Sequence, residues 1–251
     1  MSSQITARRI HLIGWLCCAF IVFLQSPGKT VADTKHDLVA NPARFLGGAL
    51  HAWTDTFPLG QLQNQAYGYL FPQGLFFLLT DPLPDWIAQR LWWLIVVGVG
   101  FSGFFTLLNR LGRSKQGKEW SSPAFMVLAA MLYAFSPRTI STLGAISSET
   151  WTVMLAPWVI VPFVQPIARV GPAFRAIAAS VLAVAAMGAV NATATLAACV
   201  PAGLYLLSTL RQRPWYTLPA WVTGCALVSA WWVGPLLVLG RYAPPFTDFI
   251  E

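Results

Sequence analysis

Long apolar runs separated by short polar stretches organise this chain. Residues 10–25, 92–108, 120–136, 151–167, 176–190, 193–210 and 218–239 each read as a membrane helix, since about 20 apolar residues match the hydrocarbon thickness of a bilayer. The pattern predicts seven crossings. The first run follows Arg8 and Arg9, as in a secretory leader, but lacks a small-residue cleavage site and precedes further spans, so it reads as a signal anchor. Only Asn191 and Ala192 separate the fifth run from the sixth, which predicts a tight helical hairpin.

The segment YGYLFPQGLFFLL (67–79) is apolar, but it is too short to cross and is broken by Pro72 and Gly74. Charge supports leaving it out. With seven spans and the N-terminus inside, ten of the sixteen Lys and Arg residues fall in cytoplasmic segments, and eight of the nine acids fall outside. An eighth crossing at 67–79 would turn the basic loop RLGRSKQGK (110–118) outward. The net charge of +7 is thus a topology signal, and with no basic stripe interleaved with aromatics it gives no support to nucleic-acid binding. A chain that is 56% hydrophobic and 10% charged is no ordinary soluble domain. Cys17, Cys18, Cys199 and Cys225 all lie within apolar runs and read as small core residues.

This topology leaves a first outer loop, 26–91, far longer than a connection requires, and such loops usually carry function. Within it Leu46, Ala49, Leu50 and Trp53 recur at helical spacing, with Arg44 and His51 off the stripe, which predicts a helix lying in the interface; 67–79 predicts a second. Packing of both on the bundle is compatible with the same pattern. The loop opens with VADTKHDL (31–38). If helix continues beyond Gln25, Asp33 lies roughly 12 Å past the first span, level with lipid phosphates. Asp33 and Asp37, four apart, would then share a face, with Lys35 and His36 pointing elsewhere.

One carboxylate at that level can take the proton of an attacking hydroxyl. A glycosidase needs a second acid for its leaving group, whereas a sugar phosphate already carries a good one. The alternative is a solvated loop start with a helix cap. Against that, residues 54–74 set Asp55, Gln61, Gln63, Asn64, Gln65, Tyr67, Tyr69 and Gln73 beside an apolar segment, a composition suited to sugar hydroxyls and ring faces. Arg138 and Glu149 in the second outer loop are candidates for a donor phosphate and for an acceptor or metal; simple solvation is the other reading. His36 and His51 have no partner at metal-ligand spacing, and no cofactor is required, although carboxylates are compatible with a divalent cation. Asn191-Ala-Thr matches a glycosylation pattern but lies between spans and reads as coincidence.

The stretch DTKHDLVANPARFLGGALHAWTDTFPLGQLQNQAYGYLFPQGLFF resembles the start of the actinobacterial arabinofuranosyltransferase D family, membrane-bound α-(1→3)-arabinofuranosyltransferases of the cell envelope. The similarity runs on through YAFSPR (133–138) and AISSETW (145–151) to YAPPFTDFIE (242–251). It implies an all-α polytopic membrane protein with a GT-C-like transmembrane helix bundle, whose long first outer loop carries juxtamembrane helices. It also implies transfer of arabinofuranose from a polyprenyl-phosphoarabinose donor to an arabinan acceptor of arabinogalactan or lipoarabinomannan, on the outer face of the plasma membrane.

On this reading Asp33 is the general base and Asp37 the second candidate. Lys35, His36, Asp55, Gln63, Asn64, Gln65, Tyr67, Arg138 and Glu149 surround the substrates. Family members are several times longer, so residues 1–251 are expected to be the N-terminal part of a GT-C-like domain. A lipid-linked sugar flippase and a non-catalytic scaffold subunit are the competing readings. The 110–118 loop reads as a topology determinant held near anionic membrane lipids, with docking of an acidic cytoplasmic protein such as an acyl carrier protein as a lesser expectation.

Overall fold

Helix α1 (Ser2–Leu24) ends where the chain reaches Pro27 and Gly28, with Ser26 at φ +41° and Gly28 at φ +78°. The glycine takes the left-handed turn without the steric cost that a side chain would bring. The computed structural model describes residues 2–33, 35–51, 53–54, 60–62, 66–114, 122–164 and 170–242. After α1 an extended strap leads to Asp33, followed by α2 (His36–Ala40) and α3 (Pro42–Ala49). Asn41 starts α3 by accepting the N–H of Arg44 at 3.1 Å, and Pro42 occupies the first turn, where its missing N–H costs nothing. Two-residue strands β1 (Trp53–Thr54) and β2 (Gln61–Leu62) pair antiparallel. A 3-10 turn (Ala66–Tyr69), a π turn (Leu70–Gly74) containing a cis Phe71–Pro72 bond, and α4 (Leu75–Thr80) complete the loop.

The remainder is helical: α5 (Asp85–Ser114), α6 (Pro123–Ala134), α7 (Pro137–Leu143), α8 (Ser147–Ile160), α9 (Val170–Ala185), α10 (Ala192–Ser208) and α11 (Thr217–Tyr242). Side-chain contacts fix their directions. His11 meets Ser102 while Phe23 meets Trp86, so α1 and α5 are antiparallel. Trp92 reaches Ser147 and Arg110 reaches the carbonyl of Val161, so α5 and α8 run parallel. The Tyr133 hydroxyl donates to the Val153 carbonyl, the Trp151 indole to that of Ala186, and the Trp221 indole to Ser180, which itself donates to Val159. Asn191 reaches Glu149 and Arg213 reaches the Phe163 carbonyl, so α10 runs parallel to α8, and the seven helices (α1, α5, α6, α8, α9, α10, α11) alternate in direction. Around α5 and α8 the core is apolar, with Val96, Val97, Phe101, Met154 and Val159 fully buried. In an interior without water, donors such as Trp151, Ser180 and Trp221 need protein acceptors, and these bonds provide them.

Among the described residues, each of the seven expected apolar runs contains a helix. By length and composition three are sufficient to cross a membrane alone: Asp85–Gly112, Pro123–Leu143 and Thr217–Tyr242. Ala173–Ala185 and Ala192–Ser208 are shorter apolar helices. Four expectations need correction. Helix does not continue past Gln25, because the Pro27–Gly28 turn stops it, so Asp33 is not helical and shares no helix face with Asp37. Trp53 lies in β1 and His51 follows α3, so the apolar stripe at 46–53 ends with the helix at Ala49. The fifth run stops at Ala185, and residues 186–191 form a real connection. There Gly188 has φ +78°, and a Cβ would lie 2.8 Å from the Phe71 carbonyl oxygen; close packing against the 66–74 turns demands glycine. Finally, Cys17 is exposed on α1, while Cys18 is buried.

Candidate functional site

Asp33 sits at the N-terminus of α8. The Ser147 hydroxyl donates to Asp33 Oδ2, and the Ser147 backbone N–H lies 3.4 Å from Oδ1. Ser147 is fully buried, and its oxygen also accepts from Gln73 Nε2 at 3.0 Å and Trp92 Nε1 at 3.1 Å. One donor and two acceptor positions are all that a hydroxyl offers, so this one is saturated and its proton is committed to the carboxylate. The first-turn N–H groups of α8 carry partial positive charge that favours an anion at this point. Asp33 remains half-exposed. It can therefore meet a ligand while being held from behind.

The strap before Asp33 is clamped by two buried side chains of α5. Gln89 mimics a strand partner, accepting the Val31 N–H at 2.9 Å and donating to the Val31 carbonyl at 2.8 Å. Arg90, 1% exposed, donates to the carbonyls of Gln25 and Lys29, both at 3.3 Å, and to Gln89 Oε1 at 3.1 Å. Its guanidinium lies 4.2 Å from the Trp93 ring centroid, so a cation with no acidic partner in these bonds is held by backbone oxygens and an aromatic face.

Tyr69, buried at the end of its 3-10 turn, borders the same point. Burial pushes its hydroxyl above the ordinary tyrosine range, the nearby Ser148 hydroxyl opposes this, and the charge of Asp33 adds to it. Lys35 lies over the Tyr69 ring, with Nζ 6.0 Å from the centroid.

On the other side of the α8 N-terminus, Arg138 on α7 pairs with Glu149, and Asn191 Nδ2 donates to the second Glu149 oxygen at 3.3 Å. Asn191 also caps α10 by accepting the Ala194 N–H at 3.0 Å. Arg138, Glu149, Asn191 and Thr193 line a cavity of about 410 Å³. A second, of about 220 Å³, shares Asn191 and Thr193 and adds Tyr67 and Trp232. Burial raises the Tyr67 hydroxyl above its usual range, and the ring meets Trp231 at 6.5 Å.

Of the residues expected from sequence, Asp33 and Lys35 thus gather at Tyr69 and Ser147, while Arg138, Glu149 and Tyr67 gather at Asn191. Asp37 does not join them. It lines a separate cavity of about 380 Å³ with Asn41, Arg44 and Phe45. His36 is exposed on α2. Asp55, Gln63, Asn64 and Gln65 lie outside the described residues, as do 115–118 of the basic loop. Among the described residues no group of three or more His, Cys, Asp or Glu side chains is placed to hold a metal ion. Ser147, Gln89 and Arg90 escaped sequence reading as site residues, and Gln73, expected to face sugar, instead braces Ser147; a Gln-Arg pair just before an apolar run was the one available sign, because such groups are costly to bury without a purpose. Asn191, dismissed as a chance glycosylation pattern, is a cap that also holds Glu149.

Residues 17–251 match the family described as alpha-(1->3)-arabinofuranosyltransferase, N-terminal GT-C domain. Alpha-(1->3)-arabinofuranosyltransferase of Mycolicibacterium smegmatis is 49% identical over 235 residues, covering 92% of this chain and 16% of that protein. Its counterpart from Mycobacterium tuberculosis is 47% identical over 254 residues, covering 99% of this chain and 18% of its own length. A cryo-EM structure of arabinofuranosyltransferase AftD from mycobacteria superposes with a TM-score of 0.84 at 45% identity, over 97% of this chain and 19% of that one. The chain therefore spans less than a fifth of the relatives it matches. Its alternating helices, the turns of its 66–74 segment and these similarities agree that the chain belongs to the alpha-(1->3)-arabinofuranosyltransferase family, within the N-terminal GT-C domain.

Proposed function

We propose that this chain forms the catalytic end of a membrane glycosyltransferase that moves arabinofuranose from a polyprenyl phosphate to an arabinan on the outer face of the plasma membrane, with seven crossings and the N-terminus inside. The observation that carries the reading is the Asp33 carboxylate held by Ser147 at the α8 N-terminus, at the bundle end that also bears Arg138 and Glu149. In this reaction Asp33 takes the proton of the acceptor hydroxyl as its oxygen bonds to the anomeric carbon. The bond from that carbon to the phosphate oxygen breaks, and the phosphate leaves with the electron pair. No second acid is needed.

Arg138 is 65% exposed and can turn toward the leaving phosphate, with Lys35, over the Tyr69 ring, a second cation. Tyr67 and Trp232 offer ring faces to the sugar, and Asn191 and Thr193 offer hydrogen bonds. Asp37 in its own cavity suits the acceptor chain better than the reacting carbon. The test is single-turnover transfer from polyprenyl-phosphoarabinose by the full-length protein, with donor binding measured in parallel. Asp33→Asn should lower the rate by about 10²–10⁴ with donor binding retained, and Asp37→Asn should do less. Near-normal transfer by Asp33→Asn would remove it as the base.

A further inference from the structure

A groove of about 990 Å³ runs down the flank of the bundle between α1 and α9, floored by α5 and α8. It begins near Trp151, below the α8 N-terminus, and ends between Arg110 of α5 and Arg175 of α9. Val99 and Arg110, both in its wall, are eleven residues apart on α5 and therefore roughly 16 Å apart along the axis. That is about half the hydrocarbon thickness of a bilayer, the depth of one leaflet. One wall is the alanine face of α9, including Ala176, Ala179 and Ala183, whose small side chains create the width.

The groove is mainly apolar, with His11, Ser102 and Thr106 as the polar side chains of its middle, and cationic at one end. Arg110 donates to the Val161 carbonyl at 2.6 Å, which uses one of its five N–H groups, and Arg175 is exposed. No acidic side chain lines the groove among the described residues. The directions of the helices put both arginines at the end that also carries Arg8 and Arg9, opposite Asp33.

We infer that this groove is a binding site for an anionic glycerophospholipid, with the phosphate between Arg110 and Arg175 and one acyl chain along the alanine face of α9. Charge complementarity and depth select this occupant. Two guanidiniums at interface level attract a phosphate, and a channel one leaflet deep accommodates an acyl chain better than a much longer polyprenyl chain. The donor's phosphate, moreover, belongs at the opposite end of the bundle. That last point rests on the proposed role of Asp33; the groove's depth and charge do not.

The test uses the full-length protein in phosphatidylcholine nanodiscs containing phosphatidylglycerol with a photoactivatable diazirine in its acyl chain. Cross-links should map to 176–186 and 99–110, and unlabelled phosphatidylglycerol should compete with them. Arg110→Gln and Arg175→Gln should each lower labelling about fivefold. Since Arg110 also braces Val161, Ala179→Phe serves as a plug that leaves both arginines in place; it should abolish groove labelling without shifting the thermal midpoint. Absence of labelling in the groove would overturn the site. Equal labelling by a phosphatidylcholine analogue, or competition by a polyprenyl phosphate alone, would overturn the occupant.

Discussion

Asp33 and Ser147, 114 positions apart in sequence, are joined by two hydrogen bonds that tie the strap after α1 to the first turn of α8. Through the same hydroxyl, Gln73 of the 66–74 turns and Trp92 of α5 are tied to that point. Four separate segments of the chain thus fix one carboxylate. Hydrogen-bond geometry of this kind holds a reacting group in place before substrate arrives, which is how a protein lowers the entropic cost of reaction.

Ser147→Ala removes the hydroxyl from Asp33 and leaves the Gln73 amide and the Trp92 indole without their acceptor. A hydrogen bond to a charged group is worth about 1.5–3 kcal/mol, so transfer in the full-length protein should fall by roughly 10–100-fold, with a lower thermal midpoint. Ser147→Cys, which keeps a weak donor, should fall in between. Unchanged transfer by Ser147→Ala would show that the carboxylate does not depend on this hydroxyl.

Gln89 acts one step further away, by pinning Val31 two residues before Asp33. Gln89→Ala loses both bonds to the strap, each worth about 1 kcal/mol, and should lower kcat by on the order of tenfold while KM for the donor changes little. Gln89→Glu keeps the acceptor for Val31 N–H and for Arg90, and should recover part of the loss. A rise in KM with kcat intact would instead place the strap in substrate binding.

How far the sequence foretold this site depends on which residues are considered. Apolar runs announced the bundle because membrane spans need only length and hydrophobicity, both local properties. Asp33 stood out because charge is rare here, but its partner did not. Ser147 is a serine among serines, and only tertiary packing brings it to Asp33. The assumed helix through 25–37 failed because the Pro27–Gly28 turn outweighed the apolar context before it. Asn191 was legible as a cap only once the length of the connection from Ala185 was known.

Tyr69 provides a pH test with a definite sign. Its hydroxyl is raised above the ordinary value first by burial and further by Asp33, against the opposing influence of the nearby Ser148 hydroxyl. The folded protein therefore keeps a proton that an unfolded chain loses near pH 10. Above that pH the native state binds more protons than the unfolded state, so stability falls as pH rises toward the folded value. Thermal unfolding between about pH 9 and 12 should show this loss in the wild type and a shallower slope in Tyr69→Phe. Identical slopes would mean that Tyr69 is not the group responsible.

Membrane orientation can be read with single cysteines, provided the chosen positions are exposed. Ser147 is unsuitable because it is fully buried, although it lies at the proposed outer end. Ser141 on α7 is exposed at that end, near Arg138, whereas Ser208 at the end of α10 is exposed beside the basic residues Arg211 and Arg213. Basic segments are retained on the cytoplasmic side, so Ser141→Cys should react with an impermeant thiol reagent added to intact cells and Ser208→Cys only after permeabilisation. Cys17, exposed on α1, must be replaced together with Cys18, Cys199 and Cys225 for a clean background. Labelling of Ser208→Cys alone in intact cells would invert the bundle and bring Asp33 to the cytoplasmic face. A lipid donor used on the outer face could not then meet it, and the proposed reaction would have to be abandoned even if the site geometry were correct.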